Sequence, residues 1–378
     1  MTRRAGRVLG VLAGALLPAV AAVAAAQPPA SPAPAPSPSP SPTLPAPKIQ
    51  AMEAAINLAV HRYGIPGVSA AVVSGGALRF SAAYGTADVE NAVPATPLTI
   101  YRLASVSKPI TATAVMQLAA RGKIDLDAPI QRYVPAYPEK QWPLNCRELL
   151  CHQAGVRQWT DEEFHNARHY ASLAAALEFF KNDPLVFEPG TRTLYSSLGY
   201  NLLGAAVEGA SGQDYLDYLR ENVFTPAGME TAGLDDVFAL IPHRAQGYQK
   251  GAGGELYNSS LSDTSNRVPG GGLVASAEDV GRFALALHTG VLLKKETREQ
   301  MFVRQRTRDG RPTGYGLGWA VGTERGRREV YHIGGQPRVS TVLYMLPDSG
   351  LAVVFLSNLE GVGTPLLDLA RQVAEIVR

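Results

Sequence analysis

The most informative stretch of this chain reads Tyr101-Arg102-Leu103-Ala104-Ser105-Val106-Ser107-Lys108-Pro109-Ile110. Ser105 and Lys108 are three positions apart, so on a helix they lie on one face, one turn from each other. A serine hydroxyl becomes a nucleophile when a base takes its proton, and a lysine is such a base only where burial or a nearby positive charge lowers its pKa. The helix has no charged residue from Pro109 to Ala120 and is apolar almost all round, which predicts burial. Ser105 would also lie at the helix N-terminus, where backbone N–H groups and the helix dipole stabilise negative charge that develops during a reaction.

A Ser-x-x-Lys spacing also occurs by chance, and in isolation it more often marks a capping serine and a solvated lysine. The surrounding sequence therefore decides between these two interpretations. N-terminal to it, a helix from Pro47 to Tyr63 precedes two strands that Gly75-Gly76 joins as a hairpin. The predicted strands of the two chain ends are 67–74, 77–84, 316–322, 328–333, 339–346 and 351–358, and a last helix covers 364–377.

The middle of the chain is helical and rich in loops, with Gly122 ending the helix that starts at Ser105 and a capping box opening another helix at Ser276. Strands first and last with helices between them predict an α/β (α+β) fold. In this fold a central antiparallel sheet from both chain ends is flanked by helices, with an inserted, mostly helical subdomain.

Two further motifs follow Ser105-Val106-Ser107-Lys108 in the chain. They are Tyr195-Ser196-Ser197 and, on a predicted strand, His332-Ile333-Gly334-Gly335. In this order the three motifs resemble those of the penicillin-binding-protein and serine β-lactamase family, in the branch with class C β-lactamases, D-alanyl-D-alanine carboxypeptidases and related esterases. The stretch 180–224 is most similar to the mitochondrial serine β-lactamase-like proteins of that family. The resemblance covers about 49–374 and implies a β-lactamase/transpeptidase-like fold.

The resemblance also implies a role for each motif residue. Ser105 would be the nucleophile and Lys108 the activating amine, while Tyr195 and His332 would assist proton transfer. The backbone N–H of Gly335 would join that of Ser105 in an oxyanion hole.

Two positions depart from the β-lactamase pattern. Ser197 stands where that pattern has a substrate-binding Asn, and a serine reaches less far and offers different hydrogen-bonding groups. His332 stands where many β-lactamases have Lys, so it brings less positive charge near Tyr195. Both departures weaken the prediction of an efficient β-lactamase.

The sequence thus predicts a serine hydrolase that forms an acyl-enzyme on amide, D-alanyl-peptide-like or ester substrates. A class C-like β-lactamase is the alternative within enzymes, and a non-catalytic binding or scaffold protein with the same fold is the alternative outside them. The partner expected is a small-molecule or peptide substrate, while the substrate's identity and the oligomeric state stay open.

Composition and the remaining motifs argue against several other functions. The chain has 35 Lys plus Arg against 33 Asp plus Glu, which leaves no basic surface for nucleic acid. No cofactor or metal site is predicted. His165 and His169 have the spacing of zinc ligands on a helix, but the sequence shows no third ligand. Gly270-Gly271-Gly272 lacks the Lys that follows in a phosphate-binding loop, so it is interpreted as a packing turn. Cys146 and Cys151 are interpreted as buried free thiols.

The N-terminus has the pattern of a secretory signal peptide, with Arg3, Arg4 and Arg7 before an apolar run and an Ala24-Ala25-Ala26 cleavage site. Residues 1–26 are therefore predicted to be removed, residues 27–48 to form a Pro/Ala/Ser-rich linker, and residues 49–378 to form the hydrolase domain. Secretion or a periplasmic location follows. An uncleaved anchor, with tethering to membrane or cell wall, is the alternative.

Overall fold

A computed structural model describes residues 43–378 of the chain. The predicted signal peptide and residues 27–42 of the predicted linker therefore lie outside the described residues. Within 43–378 the chain forms twelve strands: β1 (Gly67–Ser74), β2 (Ala77–Asp88), β3 (Val93–Pro94), β4 (Tyr101–Arg102), β5 (Gly233–Leu234), β6 (Tyr248–Lys250), β7 (Leu256–Asn258), β8 (Leu273–Ala275), β9 (Ala320–Glu324), β10 (Arg327–Gln336), β11 (Val339–Leu346) and β12 (Leu351–Ser357).

The same residues form twelve α-helices: α1 (Ala46–Tyr63), α2 (Ser107–Ala120), α3 (Cys146–Leu150), α4 (Asp161–His165), α5 (Leu173–Leu177), α6 (Leu198–Ser211), α7 (Tyr215–Leu219), α8 (Thr225–Ala227), α9 (Val268–Gly271), α10 (Ala277–Thr289), α11 (Lys295–Met301) and α12 (Gly363–Val377). Short 3₁₀ turns and one π-helical turn at 220–224 connect some of them. No helix in this described part is both long and apolar enough to cross a membrane.

The two ends of the chain meet in the centre of one sheet, as the sequence predicts. Seven antiparallel strands lie in the order β3-β2-β1-β12-β11-β10-β9, and β1 pairs with β12 from Val68 opposite Ser357 to Val73 opposite Ala352. Both central strands are buried almost throughout, which explains their continuous apolar sequences.

Helices cover both faces of this sheet. On one face α1 and α12 pack together, and Met52, Ile56 and Val373 form a core with Phe355 of β12. On the other face α10 packs with Phe283 in a larger core that continues into the inserted region. This second core contains the helix of the Ser-x-x-Lys motif, so the motif lies where the sheet meets the insertion.

The insertion differs in detail from the prediction. Besides helices it contains an antiparallel sheet in the order β4-β8-β5 and a β6-β7 hairpin. These strands have only two or three residues, which is too short for an alternating pattern to be detected.

Four predicted boundaries or caps are also corrected. Helix α1 begins at Ala46, inside the predicted linker, and β9 begins at Ala320 because residues 316–319 form a turn. A 3₁₀ turn, Ala104–Val106, precedes α2. Ser276 caps α10, but Asp279 does not complete the predicted capping box, because its carboxylate accepts hydrogen bonds from Thr231 instead. Cys146 and Cys151 are free and buried, as expected.

Candidate active site

The backbone around Ser105 is held in an unusual conformation. Ala104, which precedes it, has a φ of 47° and is fully buried. Left-handed backbone is unfavourable for residues other than glycine and persists where the surrounding structure enforces it. Here β10 provides the enforcement, because Gly334 lies directly against Ala104 and the carbonyl of Leu103. The turn leaves the Ser105 side chain half-buried at the N-terminal end of α2.

Lys108 is entirely buried one turn along the helix. Its Nζ lies 3.0 Å from Ser105 Oγ, 3.0 Å from Ser197 Oγ and 2.6 Å from the carbonyl oxygen of Gly270. Burial, followed by the positive charge of Arg267, holds the pKa of this amine well below its ordinary value of 10.5. Among these contacts there is no carboxylate to stabilise an ammonium ion, so the site favours the uncharged amine.

Tyr195 approaches the same hydroxyl from the other side. Its phenol donates a hydrogen bond of 2.7 Å to Ser105 Oγ, and Lys108 Nζ lies 4.9 Å from its ring centroid. Burial raises the pKa of the Tyr195 phenol above its ordinary value, so the phenol keeps its proton near neutral pH.

Ser197 is oriented towards the lysine. Its Oγ contacts Lys108 Nζ and its backbone N–H donates to Gln158 Oε1 at 2.9 Å, while the residue is only 7% exposed. The position that the resemblance assigns to substrate binding therefore contacts the buried amine in this structure.

His332 lies on β10, on the side of the strand that faces α2. Burial, with a contribution from Lys108, lowers the pKa of its ring to about 3, so the imidazole is uncharged. Its Nδ1 lies 3.1 Å from the carbonyl oxygen of Ile333. Because a carbonyl only accepts, Nδ1 carries the proton, and Nε2 presents a lone pair that is buried and has no partner in residues 43–378.

The edge of β10 beside these residues is open. Strand β9 pairs with β10 only as far as Tyr331, so the edge from His332 to Gln336 has no neighbouring strand among residues 43–378. A Cβ on Gly334 would lie 2.1 Å from Thr341 Oγ1, whereas a Cβ on Gly335 would have no atom within 4 Å. Gly334 therefore permits close packing, and Gly335 faces open space at the strand edge.

Several neighbours of this cluster received no catalytic role from the sequence. The ring of His152 lies 4.4 Å from that of Tyr195 and accepts a hydrogen bond from the Ser196 N–H, and Tyr315 packs edge-on against it. Burial lowers the pKa of His152 far enough to keep it uncharged.

The backbone carbonyl that binds Lys108 left no sequence signal, since every residue has one. The glycine triplet interpreted as a packing turn supplies it, through Gly270. Arg267 is 2% exposed with its guanidinium over the rings of Trp159 and Phe164, and burial lowers its pKa to about 9.

The two histidines with helical zinc spacing lie away from this cluster. His165 ends α4 and His169 lies beyond it, bonded to Asp263, so the two do not share a helix. Within the described range, no group of three or more His, Cys, Asp or Glu side chains is arranged to hold a metal ion.

Several known proteins are similar to this chain in sequence and in fold. The family model described as Beta-lactamase matches residues 50–378. The mitochondrial serine beta-lactamase-like protein LACTB of Homo sapiens is 28% identical over 83% of this chain and 78% of its own length. A penicillin-binding protein structure from Bacillus halodurans is 26% identical with a TM-score of 0.72, covering 84% of this chain and 98% of that chain.

A D-amino acid amidase structure from Ochrobactrum anthropi SV3, complexed with L-phenylalanine amide, has a TM-score of 0.77 at 24% identity, covering 88% of this chain and 99% of that chain. At that identity the likeness is one of fold.

Proposed function

The chain belongs to the beta-lactamase family of serine enzymes. From that premise we propose that it is a serine hydrolase that cleaves amide or ester bonds through an acyl-enzyme on Ser105. One observation carries the proposal: an uncharged amine and a protonated phenol both contact the same serine oxygen, at 3.0 and 2.7 Å.

The hydrogen-bonding capacity of Lys108 supports its role as the base. A neutral amine has two N–H groups and one lone pair. Donation to Gly270 O and Ser197 Oγ uses both N–H groups, which leaves the lone pair for the Ser105 hydroxyl. The serine oxygen in turn accepts from the phenol of Tyr195. All three side chains are thus satisfied in the arrangement needed for proton transfer from serine to lysine.

Acylation follows from this arrangement. Lys108 takes the hydroxyl proton as Ser105 Oγ bonds to the carbonyl carbon of the substrate. The oxygen of that carbonyl becomes negatively charged, and the N–H groups of Ser105 and Gly335 stabilise it. The bond from carbon to the leaving nitrogen or oxygen then breaks, and the leaving group takes a proton from Tyr195, which recovers one from Lys108.

Deacylation repeats these steps with water. A water molecule attacks the ester carbon and gives its proton to the same basic pair, and the Ser105 oxygen regains a proton as the acid is released. His332 assists as an uncharged acceptor, since its Nε2 lone pair has no partner in residues 43–378 and its ring centroid lies 6.2 Å from that of Tyr195.

Small amides, D-alanyl-like peptides and short esters are the proposed substrates. The amidase of similar fold was solved with an amino acid amide. In this chain Ser197 contacts the lysine where the β-lactamase pattern has an Asn amide, which favours these substrates over β-lactams.

Intact-protein mass spectrometry after exposure to a mixed panel of D-amino-acid peptides, short esters and β-lactams tests the proposal. We expect a mass increase on the wild type that is absent from Ser105→Ala. A wild type that is folded but never acylated by any of these, nor by a fluorophosphonate, would favour a binding or scaffold role.

Nitrocefin separates the enzyme classes. Sustained turnover that Ser105→Ala abolishes would support the β-lactamase alternative. A single burst of one equivalent would support a peptidase or esterase that traps β-lactams.

We further propose that the chain is exported and cleaved after Ala26, on the strength of the Arg-rich start and apolar run of its first 26 residues. Mass spectrometry of the N-terminus of the native protein should find Gln27 first. A native protein that still carries residues of the predicted signal peptide would favour the retained anchor.

A further inference from the structure

A cavity of about 360 Å³ lies at the end of β10, beyond the catalytic cluster. We call it the arginine pocket and define it by Arg244, Arg338, Ser262, Val237, Phe238 and Leu261. Its apolar members are unusually exposed, with Phe238 at 76% and Leu261 at 75%. The pocket thus combines two cations with an apolar rim, as a site for an amphiphilic anion would.

Arg338 occupies a backbone position that suits glycine. It follows Pro337 in the turn between β10 and β11 and has a φ of 82°. A turn with Pro followed by a residue of positive φ normally has Gly or Asn at that second position. An arginine side chain makes this backbone conformation unfavourable, so the surrounding structure must hold it there. A side chain retained in strained backbone at a cleft is a candidate for function.

Neither arginine side chain forms an ion pair with a carboxylate of residues 43–378, although a carboxylate oxygen of Glu360 accepts a hydrogen bond of 3.0 Å from the backbone N–H of Arg338. The Nε atoms of Arg244 and Arg338 are buried without an acceptor in the described residues, and another N–H of Arg244 donates to the backbone carbonyl of Asp236. Guanidinium groups that are half-buried and unpaired are unfavourable until an anion is bound.

The nearby carboxylates are already committed. Asp235 pairs with Arg102 at 2.7 Å, on the inner side of the pocket. Asp263, which also lines the cavity, accepts hydrogen bonds from the ring of His169 and from the backbone of Ser265. The positive charges of Arg338 and Arg244 also contribute, after burial, to lowering the pKa of Arg102. The lining thus holds two guanidinium groups and one carboxylate, Asp263, with which neither arginine forms an ion pair.

Two chain segments that border the pocket also lead to the catalytic cluster. Arg338 follows Gly335 by three residues, in the turn that ends β10. Arg102 precedes Ser105 by three residues and donates hydrogen bonds to the carbonyl of Pro337 and to Ser262. An acyl chain lying along the open edge of β10 would lead from Ser105 towards the two arginines.

We propose that the arginine pocket binds a carboxylate at the far end of the substrate's acyl group, so that the preferred substrates are amides or esters of dicarboxylic acids. The acyl chain would pass along β10, and its carboxylate would pair with Arg338 and Arg244. The substrate preference rests on the proposed function, whereas binding of the carboxylate by itself does not.

Matched esters test the preference. The p-nitrophenyl monoesters of dicarboxylic acids from succinate to suberate are compared with the same compounds capped as methyl esters. Because charge-assisted hydrogen bonds contribute about 1.5–3 kcal/mol, we expect kcat/KM to favour the charged ester at the best chain length by roughly tenfold to hundredfold. Arg338→Gly should abolish this preference without changing kcat/KM for the capped ester, since glycine suits the backbone.

Arg325→Gly is the matched control. Arg325 also has positive φ, at 48°, but lies in the turn at the opposite end of β10. It should leave the preference unchanged. Equal kcat/KM for charged and capped esters in the wild type, or a preference that survives in Arg338→Gly, would overturn the proposal.

Calorimetric titration of Ser105→Ala with suberate gives a readout that needs no turnover. We expect binding that is lost in Ser105→Ala/Arg338→Gly. If the wild type hydrolyses no ester and is never acylated, the hydrolase function fails, and this titration alone then decides the pocket: binding that depends on Arg338 supports it and absence of binding overturns it.

Discussion

Replacing Lys108 by methionine removes an amine that the fold keeps uncharged while retaining most of the side-chain volume. The unfolded chain carries this lysine protonated at all pH values below its ordinary pKa of 10.5, whereas the folded protein holds it unprotonated above its lowered pKa. Between these two pKa values the unfolded wild type therefore binds one proton more than the folded wild type.

This difference determines how stability depends on pH. The unfolding free energy of the wild type rises with pH across that window, by about 1.4 kcal/mol per pH unit for one proton. Lys108→Met lacks this contribution, so the difference in unfolding free energy between wild type and variant should change with that slope. Losing the donor to the buried Gly270 carbonyl shifts the whole curve of the variant by about 1–3 kcal/mol without changing the slope.

Urea denaturation of both proteins at several pH values from near neutral to about 10 measures the slope, and the exposed Lys123→Met is the control. We also expect kcat/KM of Lys108→Met to fall by about 10²–10⁴-fold. Parallel stability curves for wild type and Lys108→Met would show that the native amine is charged. Lys108 could then not accept the serine proton.

Three more outcomes follow from the site. Tyr195→Phe should lower kcat by about 10²–10⁴-fold with little change in Tm, because phenylalanine keeps the ring contacts but cannot transfer a proton. The acid limb of the pH profile of kcat/KM should follow the protonation of Lys108. His332→Gln should leave it unmoved, since the imidazole has a pKa of about 3. Arg267→Met should move it to higher pH, because removing that positive charge raises the pKa of Lys108. Gly334→Ala should prevent stable folding, whereas Gly335→Ala should fold with unchanged Tm, because only the second Cβ meets open space.

Each of these has an outcome that contradicts it. A Tyr195→Phe enzyme with near-normal kcat would exclude the phenol from proton transfer. An acid limb that moves in His332→Gln would identify the histidine as the titrating group. Equal stability of the two alanine variants would mean that β10 does not press against the nucleophile turn as described.

Local patterns were sufficient for the main elements. The continuous apolar runs that became β1, β11 and β12 were predicted almost to the residue, because a strand buried on both faces has a composition that surface segments lack. The helical spacing of Ser105 and Lys108 was likewise a local property, and their side chains do lie together.

The rest of the site depended on distant parts of the chain. Tyr195 reaches Ser105 across 90 residues, and the carbonyl of Gly270 reaches Lys108 across 162. No periodicity connects such positions, so only the family resemblance indicated Tyr195, and nothing indicated Gly270.

The sequence by itself determined the sheet's central strands, the apolar helix that buries an amine, and the placement of a hydroxyl one turn before it. These follow from residue spacing and hydrophobicity, which act over a few neighbouring residues. Only the tertiary structure decided that the phenol keeps its proton and that, within residues 43–378, the amine has no carboxylate partner and the Arg338 side chain forms no ion pair. Those properties depend on which groups long-range packing brings within a few ångströms, because desolvation and Coulomb interactions act through space rather than along the chain.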